Sequence, residues 1–309
     1  MSLSNFRFHN SKVIIGLACA IGAAVCYGTN PLARFLYAEG MNIPSVLFYR
    51  FGLAWLIIAV VMLFRSKGWP RGNPEPLSVS RREFLTLSAL GILFIGSSTT
   101  LYTSFALMPS GIASTILFTY PVMTAAIMTL FFRERVTLGT VLSIALSLAG
   151  VALLSFNDDG GTFSILGIVL VLISALTYAL YIIVVDKSPL QMSPFKINFY
   201  VLFYCAMGNV VYALLSGQPL MLPPTPTAWF WVSWLAVVPA IMALMMMVYA
   251  AKYLGSTPTA ILGALEPMTA VIIGVTVFGE PFSPRLLLGI VLILSAVTLV
   301  VLAKARRKA

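Results

Sequence analysis

Charge is scarce in this chain. Asp, Glu, Lys and Arg make up only 9% of its 309 residues, against about 25% in an ordinary soluble domain. Hydrophobic residues make up 60% and the mean hydropathy is +0.99. Too few polar groups exist to cover an apolar interior, which excludes a water-soluble globular domain and leaves a membrane protein. Histidine occurs once, as His9, so the commonest general base and metal ligand is missing from every long apolar run. Cysteine occurs three times, at Cys19, Cys26 and Cys205. None is in CxxC spacing, and all three read as small buried hydrophobes rather than redox or metal groups. No metal site and no cofactor is expected. The pattern GxxxxGK[ST] is absent, which excludes nucleotide hydrolysis through a P-loop.

Other classes fall away on similar grounds. The formal charge is +10, yet no basic stripe is interleaved with aromatics, so nucleic acid is not expected as a partner. An intramembrane serine protease needs a histidine in the membrane. An intramembrane aspartyl protease needs paired aspartates there, and Asp158, Asp159 and Asp186 stand at the ends of apolar stretches or between them. No enzyme constellation remains. The links are too short for a sensing domain, and no filter-like loop or charged ring suggests a channel.

What is present is a series of apolar stretches. A spanning helix needs roughly 20 mostly apolar residues. Ten stretches qualify: 12–36, 44–64, 83–106, 110–132, 137–156, 163–186, 195–215, 229–251, 256–278 and 284–303. Between them lie Pro, Gly and Asn clusters or charges, as turns require. The first stretch runs past the length of a signal segment and reads as a membrane helix. With the N-terminus inside, Arg7, Lys12, Arg65, Lys67, Arg71, Arg81, Arg82, Arg133, Arg135, Lys187, Lys196, Lys252, Lys304, Arg306, Arg307 and Lys308 fall on the inner side, 16 of the 19 basic residues. Only Arg34, Arg50 and Arg285 remain. This enrichment follows the positive-inside rule, and an even helix count puts both termini in the cytoplasm. Short links and no transit-type leader point to a bacterial inner membrane and the lipid bilayer as the surroundings.

The two halves are alike. "SGIASTILFTYPVMTAAIMTLFFRERVTLG" begins at Ser110 and "STPTAILGALEPMTAVIIGVTVFGEPFSPR" at Ser256. At an offset of 146, Ser110 meets Ser256, Pro121 meets Pro267 and Glu134 meets Glu280. An offset of 151 pairs Gly16 with Gly167 and Tyr27 with Tyr178. Five helices per half is odd, so the second half enters the membrane from the opposite side. The expectation is an all-α polytopic membrane protein of ten transmembrane helices in two inverted five-helix repeats, 1–156 and 157–309, forming one membrane domain. Such repeats place a site near the midplane between them.

The segments just quoted, with "PSVLFYRFGLAW" around Arg50, resemble the drug/metabolite transporter superfamily in its EamA-type ten-helix branch. The shared pattern is an apolar helix with a central Pro, a Glu at its end, then a helix opening near Gly. The resemblance covers essentially the whole chain. Among members it is greatest to bacterial amino-acid and metabolite exporters, the aromatic-amino-acid exporters foremost. It implies a small-molecule substrate, an amino acid or metabolite, moved by secondary transport. A broader drug or metabolite exporter, with a cationic or neutral amphipathic cargo, is the alternative.

Polar groups at membrane depth carry the candidate site. Glu266 sits about ten residues into the ninth stretch, opposite Tyr120 in the repeat. It reads either as a group for a cation or coupling proton, or as a packing device held by neighbouring helices. Pro267 and Pro121 follow the two, and each is expected to kink its helix in mid-membrane. Arg50, six residues into the second stretch, is placed to bind a carboxylate, to snorkel or to pair with an acid. "GSSTTLYTS" supplies hydroxyls, Thr99 among them, and "LMMMVY" supplies adaptable thioethers. Tyr27, Tyr102, Tyr120, Tyr178, Tyr181 and Tyr249 are near mid-depth and need partners for their hydroxyls. Asn30 completes the set. Gly139, Ser143 and Ser147 form a small-residue stripe for close packing, inside the bundle or between two copies in a homodimer.

Overall fold

The computed structural model describes residues 3–67, 76–131, 138–154, 164–188, 190, 192–254, 262–263 and 265–306. Among them are helices and turns, with no strand. Helix α1 spans Leu3–Tyr27 and passes through a 3₁₀ turn, Asn30–Ala33, into the short α2, Arg34–Ala38. Then come α3 (Ile43–Ser66), α4 (Arg81–Ser104), α5 (Ser110–Leu117), α6 (Tyr120–Phe131) and α7 (Leu138–Leu154). The second half holds α8 (Ile165–Lys187), α9 (Pro194–Ser216), α10 (Pro226–Leu235), a π-helical segment (Ala236–Met242) and α11 (Ala243–Leu254). Two further helices, α12 (Leu265–Phe278) and α13 (Pro284–Arg306), complete it.

The helices begin where capping chemistry starts them. Ser80 and Glu83 form a reciprocal capping box on α4. Asn42, Ser193 and Thr225 each accept a backbone N–H of the next turn, with a proline in the first turn behind them. A proline there gives up an N–H that has no helical partner anyway. The 24 residues of α3 extend about 36 Å, enough for an apolar bilayer core of about 30 Å. Among the described residues, seven helical runs are long and apolar enough to cross a membrane, and Leu265–Phe278 and Pro284–Ala296 are shorter apolar helices. Large apolar side chains cover the outside, Phe131, Leu214 and Ile165 among the most exposed. Such a surface aggregates in water and is solvated by lipid. The chain is a multi-pass membrane protein.

Two prolines act differently from expectation. Pro121 and Pro267 do not bend continuous helices. The helix stops at Leu117 and restarts at Tyr120, which makes Pro121 the second residue of α6. Pro267 is the third residue of α12, and the Glu266 N–H just before it closes a tight turn onto the Gly263 carbonyl at 2.9 Å. A proline within a helix lacks an N–H and crowds the carbonyl four residues back. Breaking the helix relieves both, because the ring then falls in a first turn. Pro239 was not singled out in the sequence. It stands inside the π-helical segment, where the ladder widens around it.

Helices pack in a regular scheme. α1 lies along α11, and α4 along α8. α3 pairs with α9, α5 with α12 and α7 with α13. α4 also meets α9, as α3 meets the π segment, and α8 meets α5 and α6, as α12 meets α1. Glu134, the matched Ser256, and the link 156–162 lie outside the described residues, as do the side chains of Ser143 and Ser147.

Candidate functional site

Four of the tyrosines converge. Tyr120, at the start of α6, meets Tyr178 of α8 edge-to-face with ring centroids 4.8 Å apart. Tyr178 and Tyr181 lie one turn apart on α8 with their rings nearly parallel, 5° between planes and 6.0 Å between centroids. Residues three apart on a helix share a face, so α8 presents a flat aromatic pair. Phe94 of α4 backs it at 5.2 Å from Tyr181, and Phe118 stands edge-on to Tyr120. Tyr27, at the end of α1, lies near Tyr120, Tyr181 and Glu266. Its hydroxyl is buried and has no partner among the described residues.

Glu266 reaches this cluster from the first turn of α12. It lies within electrostatic range of Tyr27, Tyr120 and Tyr178. The start of α12 suits a carboxylate, because helix N-termini carry partial positive charge. Glycine makes the approach of α1 possible. A Cβ on Gly28 would come within 2.8 Å of the Glu266 carbonyl oxygen and would collide with Thr269. The backbones of the two helices therefore touch beside the carboxylate. The chemistry assembled here is a carboxylate among aromatic faces and hydroxyls, suited to a cation or to an amphipathic solute with a positive end.

A second polar group adjoins it. Arg50 is buried, with 3% of its surface exposed, so it neither snorkels nor pairs with an acid among the described residues. One guanidinium N–H donates to the Tyr102 hydroxyl, which donates in turn to Asn30 Oδ1 at 3.1 Å. The guanidinium carbon lies 5.0 Å from the ring centres of both Phe51 and Tyr102. Its Nε has no partner. Cation–π contacts contribute about 0.5–2 kcal/mol each, and a hydrogen bond to a charged group about 1.5–3. Removing an ion from water costs several kcal/mol even after relaxation. Arg50 is held in place yet under-neutralised. Tyr27 lies within range of both Arg50 and Glu266.

Other predicted groups behave differently. Tyr249 does not join the cluster. It is on the exposed side of α11, with its ring 6.1 Å from that of Tyr253. The hydroxyls of Ser98, Thr100, Thr103 and Ser104 bond to carbonyls of their own helix. Ser97 joins α4 to α8 through Ser174 at 3.1 Å. Only Thr99 of that run keeps a buried hydroxyl without a partner. Met245 and Met247 pack on the core.

One polar joint was not foreseen. Glu280, just beyond α12, accepts from the Ser110 N–H and hydroxyl, each at 2.8 Å, and from the Gly111 N–H at 3.0 Å. Arg34 also donates to it. The carboxylate thus caps α5 and ties it to α2 at one end of the bundle. The matched Glu134 and Glu280 were the signal in the sequence, but their spacing does not say what either one holds. Among the described residues no group of three or more metal-ligating side chains occurs.

Comparison with known proteins gives a consistent result. The EamA-like transporter family matches residues 14–156 and again residues 165–302. An uncharacterized transporter of Archaeoglobus fulgidus is 27% identical over 282 residues, covering 91% of this chain and 94% of that protein. The uncharacterized inner membrane transporter YedA of Escherichia coli K12 is 26% identical over 261 residues, 82% of this chain and 80% of that one. A solved crystal structure superposes with a TM-score of 0.61 at 17% identity, covering 97% of this chain and 99% of the other. That last likeness concerns the fold alone.

Proposed function

This chain belongs to the EamA-like transporter family, and we propose that it is a secondary transporter exporting amino acids, aromatic and neutral ones favoured, and related small metabolites. The observation that carries this reading is the convergence of Tyr27, Tyr120, Tyr178 and Tyr181 from α1, α6 and α8, with Glu266 of α12 near the first three. Aromatic faces contact an aromatic or apolar side chain. The carboxylate supplies one charge for an ammonium or a coupling proton.

Alternating access between two inverted five-helix repeats is the mechanism we infer. The helix pairings support it. Count α1–α2, α5–α6 and α10–α11 as single membrane crossings, which gives ten. Exchanging each crossing with the one five places later turns the pairing of α1 with α11 into that of α8 with α4. It turns the pairing of α4 with α9 into that of α11's crossing with α3, and returns α3 with α9, α5 with α12 and α7 with α13 to themselves. A twofold relation between the halves has this property, and the family's double match agrees with it. In the positive-inside orientation both termini are cytoplasmic, in a bacterial inner membrane, and the Arg34–Glu280 joint faces outward.

A broader exporter of cationic or neutral amphipathic solutes is the second reading. It is favoured by the hydrogen bond and ring contacts that already hold Arg50 at Tyr102, and by the place of Glu266 near Tyr27, Tyr120 and Tyr178. Purified protein in liposomes decides between them. Labelled phenylalanine, tryptophan, threonine and a cationic dye are offered with and without a proton gradient. Flux of the amino acids is expected. Flux of the dye with none of the amino acids rejects the first reading in favour of the second.

A further inference from the structure

We propose that Arg50 is the anion-recognition element of the substrate path, so that the solute this protein carries is a zwitterion bearing a carboxylate. The proposal rests on reading the tyrosine cluster as the transport site, and it narrows the substrate class that site accepts.

A guanidinium keeps its charge in any protein environment and offers five N–H donors. Arg50 spends one of them on the Tyr102 hydroxyl. Its Nε is buried without a partner. The acids whose side chains are described are engaged elsewhere. Glu280 is held by Arg34, Ser110 and Gly111, Glu39 accepts from Thr225, and Glu83 closes its own capping box. Glu266 belongs to the tyrosine cluster, with Tyr27 in range of both charges. A buried cation with an unpartnered Nε and no counter-ion among the described residues is completed by an anion that comes and goes.

Two hydroxyls on the neighbouring helices are also unsatisfied. The Tyr27 hydroxyl and the Thr99 hydroxyl are buried without partners. Thr99 lies one turn from Tyr102 on α4, on the face that Arg50 meets. An α-amino acid fits this sequence of groups. Its carboxylate takes the free guanidinium donors, its ammonium turns to Glu266, and its side chain rests on the rings of Tyr178 and Tyr181. A phosphate ester fits poorly, because a dianion requires more than one cation and Arg50 is the one buried arginine among the described residues. A purely structural Arg50, fixed by its ring contacts, accounts for the hydrogen bond to Tyr102 but leaves Nε open for no purpose.

The test uses two readouts on the full-length protein. The first is ligand-induced thermal stabilisation in detergent with four probes: phenylalanine, its methyl ester, 2-phenylethylamine and 3-phenylpropionate. The second is competition of the same probes against labelled phenylalanine uptake into liposomes. Phenylalanine and phenylpropionate are expected to stabilise the wild type, and the ester and the amine are not. Arg50→Gln is expected to abolish that discrimination and to raise the KM for phenylalanine roughly ten- to a hundredfold. Arg50→Lys keeps a point charge and is expected to retain part of the effect.

Stabilisation by the ester or amine equal to that by phenylalanine overturns the proposal, whatever the flux. So does a carboxylate effect that survives Arg50→Gln, or the absence of stabilisation by every probe. If phenylalanine does not move but phenylpropionate stabilises in an Arg50-dependent way, the amino-acid reading falls and the anion site stands. Where Arg50→Gln does not fold, the wild type's choice between phenylalanine and its ester decides alone.

Discussion

Arg34 donates to Glu280 across 2.5 Å, joining residues 246 apart in sequence. The same carboxylate accepts two backbone N–H groups and a hydroxyl at the start of α5. Glu280 thus has more partners than the ion pair alone, and its removal strands more groups than the removal of Arg34. Glu280→Gln puts an amide N–H against a backbone N–H and is expected to cost about 1–3 kcal/mol. Arg34→Met leaves the carboxylate with three donors, and an ion pair with a partly exposed arginine contributes little. Thermal unfolding in detergent is expected to show the larger loss for Glu280→Gln. Equal losses, or a larger one for Arg34→Met, would refute the capping role.

Close helix approach gives a second contrast. An added methyl at Gly28 meets the Glu266 carbonyl oxygen and the Thr269 side chain, and a backbone oxygen cannot move aside. Overpacking of this kind costs about 1–3 kcal/mol. At Gly22 the same methyl meets the Met246 sulfur at 2.8 Å, the end of a flexible side chain that can swing away. Gly28→Ala is expected to abolish most transport, and Gly22→Ala to retain most of it at equal expression. Initial rates in liposomes measure both, and the reverse order would show that the α1–α12 contact does not position the site.

How much of this was legible in the sequence depends on what kind of information each feature needs. Apolar runs and their punctuation depend on local composition, and most described residues of these stretches are helical, with turns at 28–29, 118–119 and 263 interrupting three of them. The positions of Pro121 and Pro267 were visible, but not the helix breaks. Whether a proline bends or ends a helix is decided by the neighbours that can satisfy the freed carbonyls. Tyr27, Tyr120, Tyr178 and Tyr181 were marked by apparent depth, and they meet. Tyr249 was marked on the same ground and faces outward, because depth along a helix says nothing of the direction around it. The hydroxyl run of α4 read as one group. The structure divides it by partner, which a one-dimensional pattern does not contain. Glu280 stood out only as the repeat twin of Glu134, because its partners Ser110 and Gly111 come from the other half of the chain.

The parallel rings of Tyr178 and Tyr181 predict a selectivity test. Tyr178→Phe keeps the ring contacts with Tyr120 and Tyr181 and is expected to leave the KM for phenylalanine within about threefold. Tyr178→Ala removes an aromatic contact of about 0.5–1.5 kcal/mol. It is expected to weaken tryptophan and phenylalanine several-fold while changing threonine little. Competition assays against one labelled amino acid give the three values. If threonine is weakened as much as tryptophan, the ring supports the fold rather than the cargo.

Glu266 is the acid that the apolar pattern places in mid-membrane, and the structure puts it beside Tyr27, Tyr120 and Tyr178. Gln has the same shape and can accept a hydrogen bond, but it carries no charge and cannot exchange a proton. A coupling role and a packing role therefore respond differently to Glu266→Gln. If the carboxylate couples proton movement to export, a pH gradient no longer drives accumulation, while exchange of labelled for unlabelled solute continues. If the carboxylate only packs, the two activities rise or fall together. The coupling outcome is expected, because the group lies at the helix break near the unpartnered Tyr27 hydroxyl, with no hydrogen bond to its carboxylate among the described residues. Counterflow and gradient-driven uptake, measured on the same liposomes, separate the cases. Gradient dependence that persists in Glu266→Gln would assign the residue to structure and send the search for the coupling group elsewhere.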